Sequence, residues 1–275
     1  RSELGEVVVE DTKSGNAVES TRMSTIEIPI KQIKELPVFL GEVDIMKAIQ
    51  LMPGVNSGSE GTSGLYVRGG GPDQNLILLD GVPVYNADHL FGFFSVFNAD
   101  AVQTVSLVKG GFPARYGGRL SSVLDIYMKE GNSREFHGEG SIGIIASKIT
   151  VEGPIKKDTT AFIISARRTY IDVLSLPFQK MYGDGKNYGG YYFYDLNAKI
   201  NHKLNDKHRL FISAYNGLDK AYAKMKDDYF DDNGNLQTQK SESYLSWGNI
   251  TTALRWNYII NKKLFANTTA TFSRY

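Results

Sequence analysis

The sequence predicts two architectures in series: an α+β domain over residues 25–132, then antiparallel strands of a transmembrane β-barrel over 133–275. Three observations predict it. A helical pattern and an Asp-Gly hairpin occur together in the first part. After Gly131-Asn132 about seven segments alternate apolar with polar residues. The connections between those segments are alternately short and long, as in membrane barrels, whose turns are tight on one side and whose loops are long on the other.

Composition limits the alternatives. The 275 residues are 41% hydrophobic and 22% charged, which supplies a substantial core and argues against disorder throughout. With 31 basic and 30 acidic residues the formal net charge is +1, so no global attraction toward nucleic acid is expected. There is no cysteine, which removes disulfides and Cys-ligated metal. No run approaches the 18 or so apolar residues of a transmembrane helix. A barrel is compatible with the mean hydropathy of −0.27, because its strands alternate. Arg1-Ser2-Glu3 does not begin a charged-then-apolar leader.

Residues 1–24 read as an exposed arm with a β-prone run at Val7-Val8-Val9. Ile26, Ile28 and Ile30 then alternate with Glu27, Pro29 and Lys31, a short strand that Pro29 confines to an edge or bend. Ile45, Met46, Ile49 and Met52 recur at helical spacing, predicting one helix over about 42–52 that stops at Pro53-Gly54. Leu76 to Leu79, Asp80-Gly81 and Val82 to Val84 form a strand, a tight turn and a strand, since Asp-Gly supplies the positive φ of a two-residue hairpin. Residues 100–108 form another short element.

Strands are then predicted over 138–144, 148–152, 160–168, 191–204, 209–218, 244–259 and 264–275, and helix is not expected among them. In the fourth, Tyr192, Tyr194, Leu196, Ala198 and Ile200 share one face, while Asp195, Asn197, Lys199 and Asn201 share the other. Lipid must take the apolar face, because each Lys placed near the midplane would cost roughly 2 to 4 kcal/mol. About ten residues at roughly 3.3 Å each, tilted near 45°, span about 23 Å, close to the apolar belt of an outer membrane. A soluble β-sandwich shows the same alternation and would bury that face instead. The connections favour the barrel. Lys156-Lys157-Asp158, Asn205-Asp206-Lys207 and Asn261-Lys262-Lys263 are short charged turns, whereas 169–190 and 219–243 are long loops.

Three glycine-rich motifs occur in order: Arg68-Gly69-Gly70, Asp80-Gly81-Val82-Pro83 and the stretch Lys109-Gly110-Gly111-Phe112-Pro113-Ala114-Arg115-Tyr116-Gly117-Gly118-Arg119. With them, the chain from about Thr25 onward resembles a TonB-dependent outer-membrane receptor, its plug domain plus the N-terminal part of the barrel. His89-Leu90-Phe91-Gly92-Phe93-Phe94 looks like a Bacteroidetes-type member. The resemblance implies a plug inside a barrel of about 22 strands in a Gram-negative outer membrane. About seven strands leave open edges that lipid does not tolerate, so the chain is expected to be part of a longer one. It also implies import of an unidentified nutrient, energised by the TonB complex acting on an N-terminal TonB box. Glu6, Val7, Val8 and Val9 match that box best, an extended segment suited to strand addition; an ordinary β-prone arm is the other reading.

Within that frame the loop after the hairpin supplies the candidate ligand contacts. Tyr85, Asn86, His89, Phe91, Phe93 and Phe94 combine aromatic faces with polar groups, although packing of plug on barrel would use the same residues. Arg68, Arg115 and Arg119 are expected to pair with the barrel wall, and Arg167, Lys199 and Arg255 to face inward toward the plug. Reversible pairs would let the plug move. Tyr188, Tyr191, Tyr192, Phe193 and Tyr194 read as an interfacial aromatic girdle.

Other signals point away from chemistry. Gly69 to Gly71, beside an Arg68 expected to be buried, is not followed by Gly-Lys-Ser/Thr and reads as a turn. Asp227 to Asn235 lacks the spacing and closing Glu of an EF-hand and reads as an Asn-Gly hairpin tip. His89, His137, His202 and His208 lack metal-ligand spacing, and no nucleophile sits with a base, so neither metal, cofactor nor enzymatic activity is expected. Two further readings compete with import: a surface receptor or scaffold for a partner lipoprotein, and a soluble β-rich binding protein.

Overall fold

A computed structural model describes residues 25–36, 41–58, 64–183, 186–231 and 233–275, without the side chain of residue 91. The arm with Glu6 to Val9 lies outside them. In the N-terminal unit, β1 (Thr25–Pro29) leads into helix α1 (Ile30–Lys34) and then α2 (Ile45–Gln50). Short strands β2 (Val55–Asn56) and β3 (Tyr66–Val67) precede the hairpin of β4 (Asn75–Leu79) and β5 (Val82–Pro83). A second small hairpin, β6 (Asp88–His89) with β7 (Phe94–Ser95), precedes β8 (Val102–Val108) and β9 (Ser122–Met128). The main sheet runs β1-β8-β9-β4-β5, with β4 and β9 parallel.

Local chemistry explains these elements. Pro29 has no N–H to donate and sits in β1, which is indeed an edge strand. Asp80 and Gly81 have φ of 50° and 82°, the left-handed pair a two-residue turn needs. Asp44 caps α2, accepting the N–H of Lys47 at 3.1 Å. The predicted helix is therefore shortened at both ends, and the five-residue α1 is too brief to register as a period. Ile45, Ile49, Val105, Leu107, Leu124 and Ile126, all fully buried, form the core between α2 and the sheet.

The second unit is one antiparallel sheet of seven strands in chain order. These are β10 (His137–Ile142), β11 (Ala146–Lys156), β12 (Thr160–Thr169), β13 (Tyr188–Lys203), β14 (His208–Phe230), β15 (Leu236–Asn261) and β16 (Leu264–Arg274). Both long loops are corrected by the structure. The first holds helix α3 (Ile171–Tyr182), although no helix was expected after residue 132. The second is mostly strand: β14 and β15 stay paired from His208 with Tyr258 to Phe230 with Leu236. Charged residues hid that extension, because beyond the membrane both faces of a hairpin meet water and the apolar alternation lapses. Its tip turns at Asn233-Gly234, with Gly234 at φ 75°.

This sheet is a wall with two unlike faces. Phe193, Asp195, Asn197 and Lys199 are buried against the N-terminal unit, while Leu196 and Ile200, one position away, are 44% and 40% exposed. Ile149, Ile164, Ile212, Ile250 and Leu254 on neighbouring strands are exposed as well. No second protein layer covers this face among the described residues. A continuous apolar surface of this breadth is far larger than soluble monomers carry, which removes the β-sandwich reading. Rings mark both margins of the apolar band. His208, Tyr258 and Trp256 stack at the lower end, with His208 and Tyr258 centroids 4.2 Å apart. Tyr194 pairs with Leu218 at the upper end, roughly ten residues or about 23 Å higher at barrel tilt. The expected girdle is split by strand parity: Tyr192 and Tyr194 belong to it, whereas Tyr191 and Phe193 point inward.

Candidate functional site

The inward face of the wall meets the N-terminal unit through a buried, charged seam. His89, at the β6 end, is 1% exposed and bridges two wall carboxylates. Its Nδ1 lies 2.6 Å from Asp219 Oδ2 and its Nε2 lies 2.8 Å from Asp195 Oδ1. The imidazole stacks on Phe193 with centroids 4.0 Å apart. Arg167 donates from Nε and Nη2 to Asp195 Oδ2 at 2.8 and 2.6 Å, and from Nη2 to the carbonyl of Ser95 at 2.7 Å. Tyr215 donates to Asp195 at 2.8 Å. That contact requires Gly217, where a Cβ would sit 1.9 Å from the Tyr215 hydroxyl.

Ser95 joins the seam to the core. Its N–H donates to Asp44 Oδ2 at 2.7 Å, so the same carboxylate caps α2 and holds β7. Leu90 is held in the left-handed region at φ 49°, where its N–H donates to Tyr191 Oη at 2.8 Å and Asp219 Oδ1 at 3.2 Å. A non-glycine residue there is strained, and contacts with the wall stabilise it. Tyr191 in turn donates to Asp219. Burial alone would keep His89 neutral, but the carboxylates of Asp195 and Asp219 outweigh it and raise its pKa above the ordinary value.

A second set of contacts lies lower on the wall. Lys199 Nζ is 3.0 Å from Asp80 Oδ2 and donates to the carbonyl of Met128 at 3.1 Å. Arg255 donates to the carbonyl of Asp80 at 2.7 Å, and Ser273 to that of Pro83 at 2.6 Å. Lys148, in register with Arg167 of the first set, reaches Asp100 at 3.0 Å. Beside this set a cavity of 780 Å³ opens between the domain sheet and β15–β16, lined by Arg115, Tyr116, Asp125, Arg255 and Asn267. A groove of 900 Å³ elsewhere on the wall is lined by outward Ile142, Ile149, Ala166 and Leu196, which face lipid and offer a solute little polar recognition.

The sequence-derived candidates separate accordingly. Arg167, Lys199 and Arg255 meet in the seam. Arg115 and Arg119 are exposed and find partners within their own domain, Tyr116 Oη at 2.8 Å and the carbonyl of Gly118 at 3.1 Å. Arg68, expected to be buried, is exposed in a left-handed turn at φ 49°. His89 and Phe94, expected at a ligand-facing apex, are 1% and 2% exposed and pack under the wall. Tyr85 and Phe93 are 61% and 44% exposed. Asn86 is half-buried, accepting from Asn249 at 2.7 Å through its carbonyl. Phe91 lies outside the described side chains. The acidic partners Asp80, Asp195 and Asp219 were not among the expected contacts, although Asp195 was placed on the inward face. Asp195 and Asp219 share the inward parity of Lys199 and Ser213 on their own strands, a signal available in the sequence; only folding could match them to His89.

Comparison with known families decides the class. Residues 17–122 match the family model "TonB-dependent Receptor Plug Domain". The N-terminal unit is a TonB-dependent receptor plug domain. The chain is 32% identical over 132 residues to the ferrienterobactin receptor of Escherichia coli, covering 42% of this chain and 18% of that protein. It is likewise 32% identical over 117 residues to the ferric enterobactin receptor of Pseudomonas aeruginosa, covering 36% and 16%. The ferric yersiniabactin uptake receptor of Yersinia pestis superposes with a TM-score of 0.59 at 16% identity, over 92% of this chain and 41% of that one. The siderophore receptor of Acinetobacter baumannii gives 0.51 at 17%, over 92% and 48%. The chain thus spans about half of those solved receptors, as a plug and antiparallel strands of an outer-membrane barrel. These relatives are transport receptors and not enzymes. They come from proteobacteria and give the Bacteroidetes-type placement no support.

Proposed function

We propose that this chain is the gated half of an importer that carries an iron–siderophore complex across the outer membrane, driven by TonB. In this reading residues 1–24 are the coupling arm with Glu6 to Val9 as TonB box, 25–132 the plug and 133–275 the first strands of the barrel. The carrying observation is the seam. A plug fixed permanently in a lumen would be served by apolar contact, whereas this one is attached by ion pairs and hydrogen bonds that water can replace once the plug is pulled. The relatives' named ligands, ferric enterobactin and ferric yersiniabactin, supply the substrate class. Exposed Tyr85 and Phe93 at the upper end of the plug supply aromatic surface toward an incoming chelate.

The test uses the full-length receptor in a strain lacking other siderophore receptors, supplied with radiolabelled ferric catecholates and hydroxamates. Deleting Glu6 to Val9 should abolish accumulation of the transported chelate while binding to whole cells persists. Accumulation that survives the deletion would refute the coupling role, and failure of every ferric chelate to accumulate in the parent would refute the substrate class.

A further inference from the structure

Helix α3 is built inside out. Apart from the exposed Lys180 in its last turn, its hydrogen-bonded polar residues face protein: Gln179 Nε2 donates to the carbonyl of Gly189 and to Ser175 Oγ, at 2.8 and 2.9 Å, and Gln179 Oε1 accepts the Gly189 N–H at 2.8 Å. Asp172, 7% exposed, accepts from Arg168 at 3.2 Å. The opposite stripe holds Val173, Leu174, Phe178 and Met181, exposed by 55%, 46%, 62% and 68%. Their spacing of i, i+1, i+5 and i+8 places them along one side. A helix on a water-bathed surface shows the reverse polarity.

The helix also sits on the lipid side of the wall. Gly190 shares the outward parity of Tyr192, Tyr194 and Leu196, and a Cβ there would meet the Tyr222 hydroxyl at 2.6 Å and Asp172 Cβ at 2.9 Å. Arg168, itself outward, stacks 4.8 Å over the Tyr192 ring while bonding Asp172. Gly190 pairs with Tyr222, a few residues beyond Leu218 on β14, which sets the helix about 9 Å above the upper ring of the girdle. That height is the headgroup zone of the bilayer.

We infer that α3 is an interfacial membrane helix whose apolar stripe lies in the headgroup layer of the outer leaflet, just above the aromatic girdle. The occupant is lipid, because the stripe continues the lipid-facing wall on the same side and at its margin. Seated there, the helix pins the β12–β13 connection to the bilayer and keeps it from folding over the lumen. The β14–β15 hairpin, by contrast, extends upward into water, with Asp228 paired to Lys186 of that connection.

The inference rests on the outer-membrane barrel, so its test carries a wall reference. Phe178→Cys, Met181→Cys and Leu196→Cys are introduced singly into the full-length receptor, spin-labelled and reconstituted in phosphatidylethanolamine–phosphatidylglycerol vesicles. These 275 residues contain no competing cysteine. Labels at 178 and 181 should be relaxed more strongly by oxygen than by a nickel chelate, as at 196. Stronger relaxation by nickel at 178 and 181, meaning water, overturns the inference, as does protection from both reagents, meaning a protein cover. A lipid-like 196 confines that failure to the helix; a water-like 196 defeats the wall as well. Phe178→Trp quenched by brominated lipid provides a readout independent of the label.

Discussion

The plug is bounded by two interfaces of opposite chemistry. Between α2 and its sheet, Ile45, Ile49, Leu124 and Ile126 exclude water without a charge among them. Between plug and wall, His89, Arg167, Asp195, Asp219, Lys199 and Asp80 are equally buried and nearly all polar. The first interface holds one arrangement, since opening it exposes apolar area. The second is near balance: each charge loses hydration on burial and its ion pairs offset that cost, so a fully paired seam adds little net stability, yet removing one partner is expensive. In the proposed function the plug would stay folded while leaving its socket, and this division of interfaces would allow it.

The sharpest way to break the comparison is Asp195→Ala, which strips His89 and Arg167 of their shared carboxylate. It should cost about 3 to 5 kcal/mol in plug seating, read as faster amide exchange at residues 88–96 of the full-length receptor. A change under about 1 kcal/mol would show the seam to be loose. Leu124→Ala should cost about 2 to 5 kcal/mol, but in the core: exchange should rise across β4, β8 and β9, and a response limited to the seam would contradict the separation drawn here.

Protonation gives a subtler probe. Because the His89 pKa is raised in the folded state, its contribution is complete below the ordinary value of about 6.5 and is lost as pH climbs through the folded value. Exchange at residues 88–95, corrected for intrinsic rate, should therefore accelerate toward alkaline pH in the parent and stay flat in His89→Gln; parallel profiles would deny His89 the role. The smallest effect is expected of Arg134→Ala, whose ion pair with Asp158 at 3.2 Å lies exposed by 82% and 71%. It should shift stability by less than about 1 kcal/mol in urea titration of the full-length receptor.

Much of the fold was legible because period and turn chemistry are local. Alternation in Tyr192 to Ile200 named the lipid face, and Asp80-Gly81 named the hairpin. Helix α3 escaped because Pro177 interrupts its pattern and reads as a helix stop, and the projecting half of β14–β15 because two wetted faces leave no alternation. In the candidate site, inward Arg167, Lys199 and Arg255 followed from parity, whereas His89 and Phe94 were assigned to an apex on residue type alone.

What the sequence determined by itself is which residues face which medium, since periods of two and 3.6 are written residue by residue. Which residues meet was decided only by the tertiary structure. His89 lies 106 positions from Asp195 and 130 from Asp219. No local pattern links such residues, because their contact depends on how the plug seats against the wall.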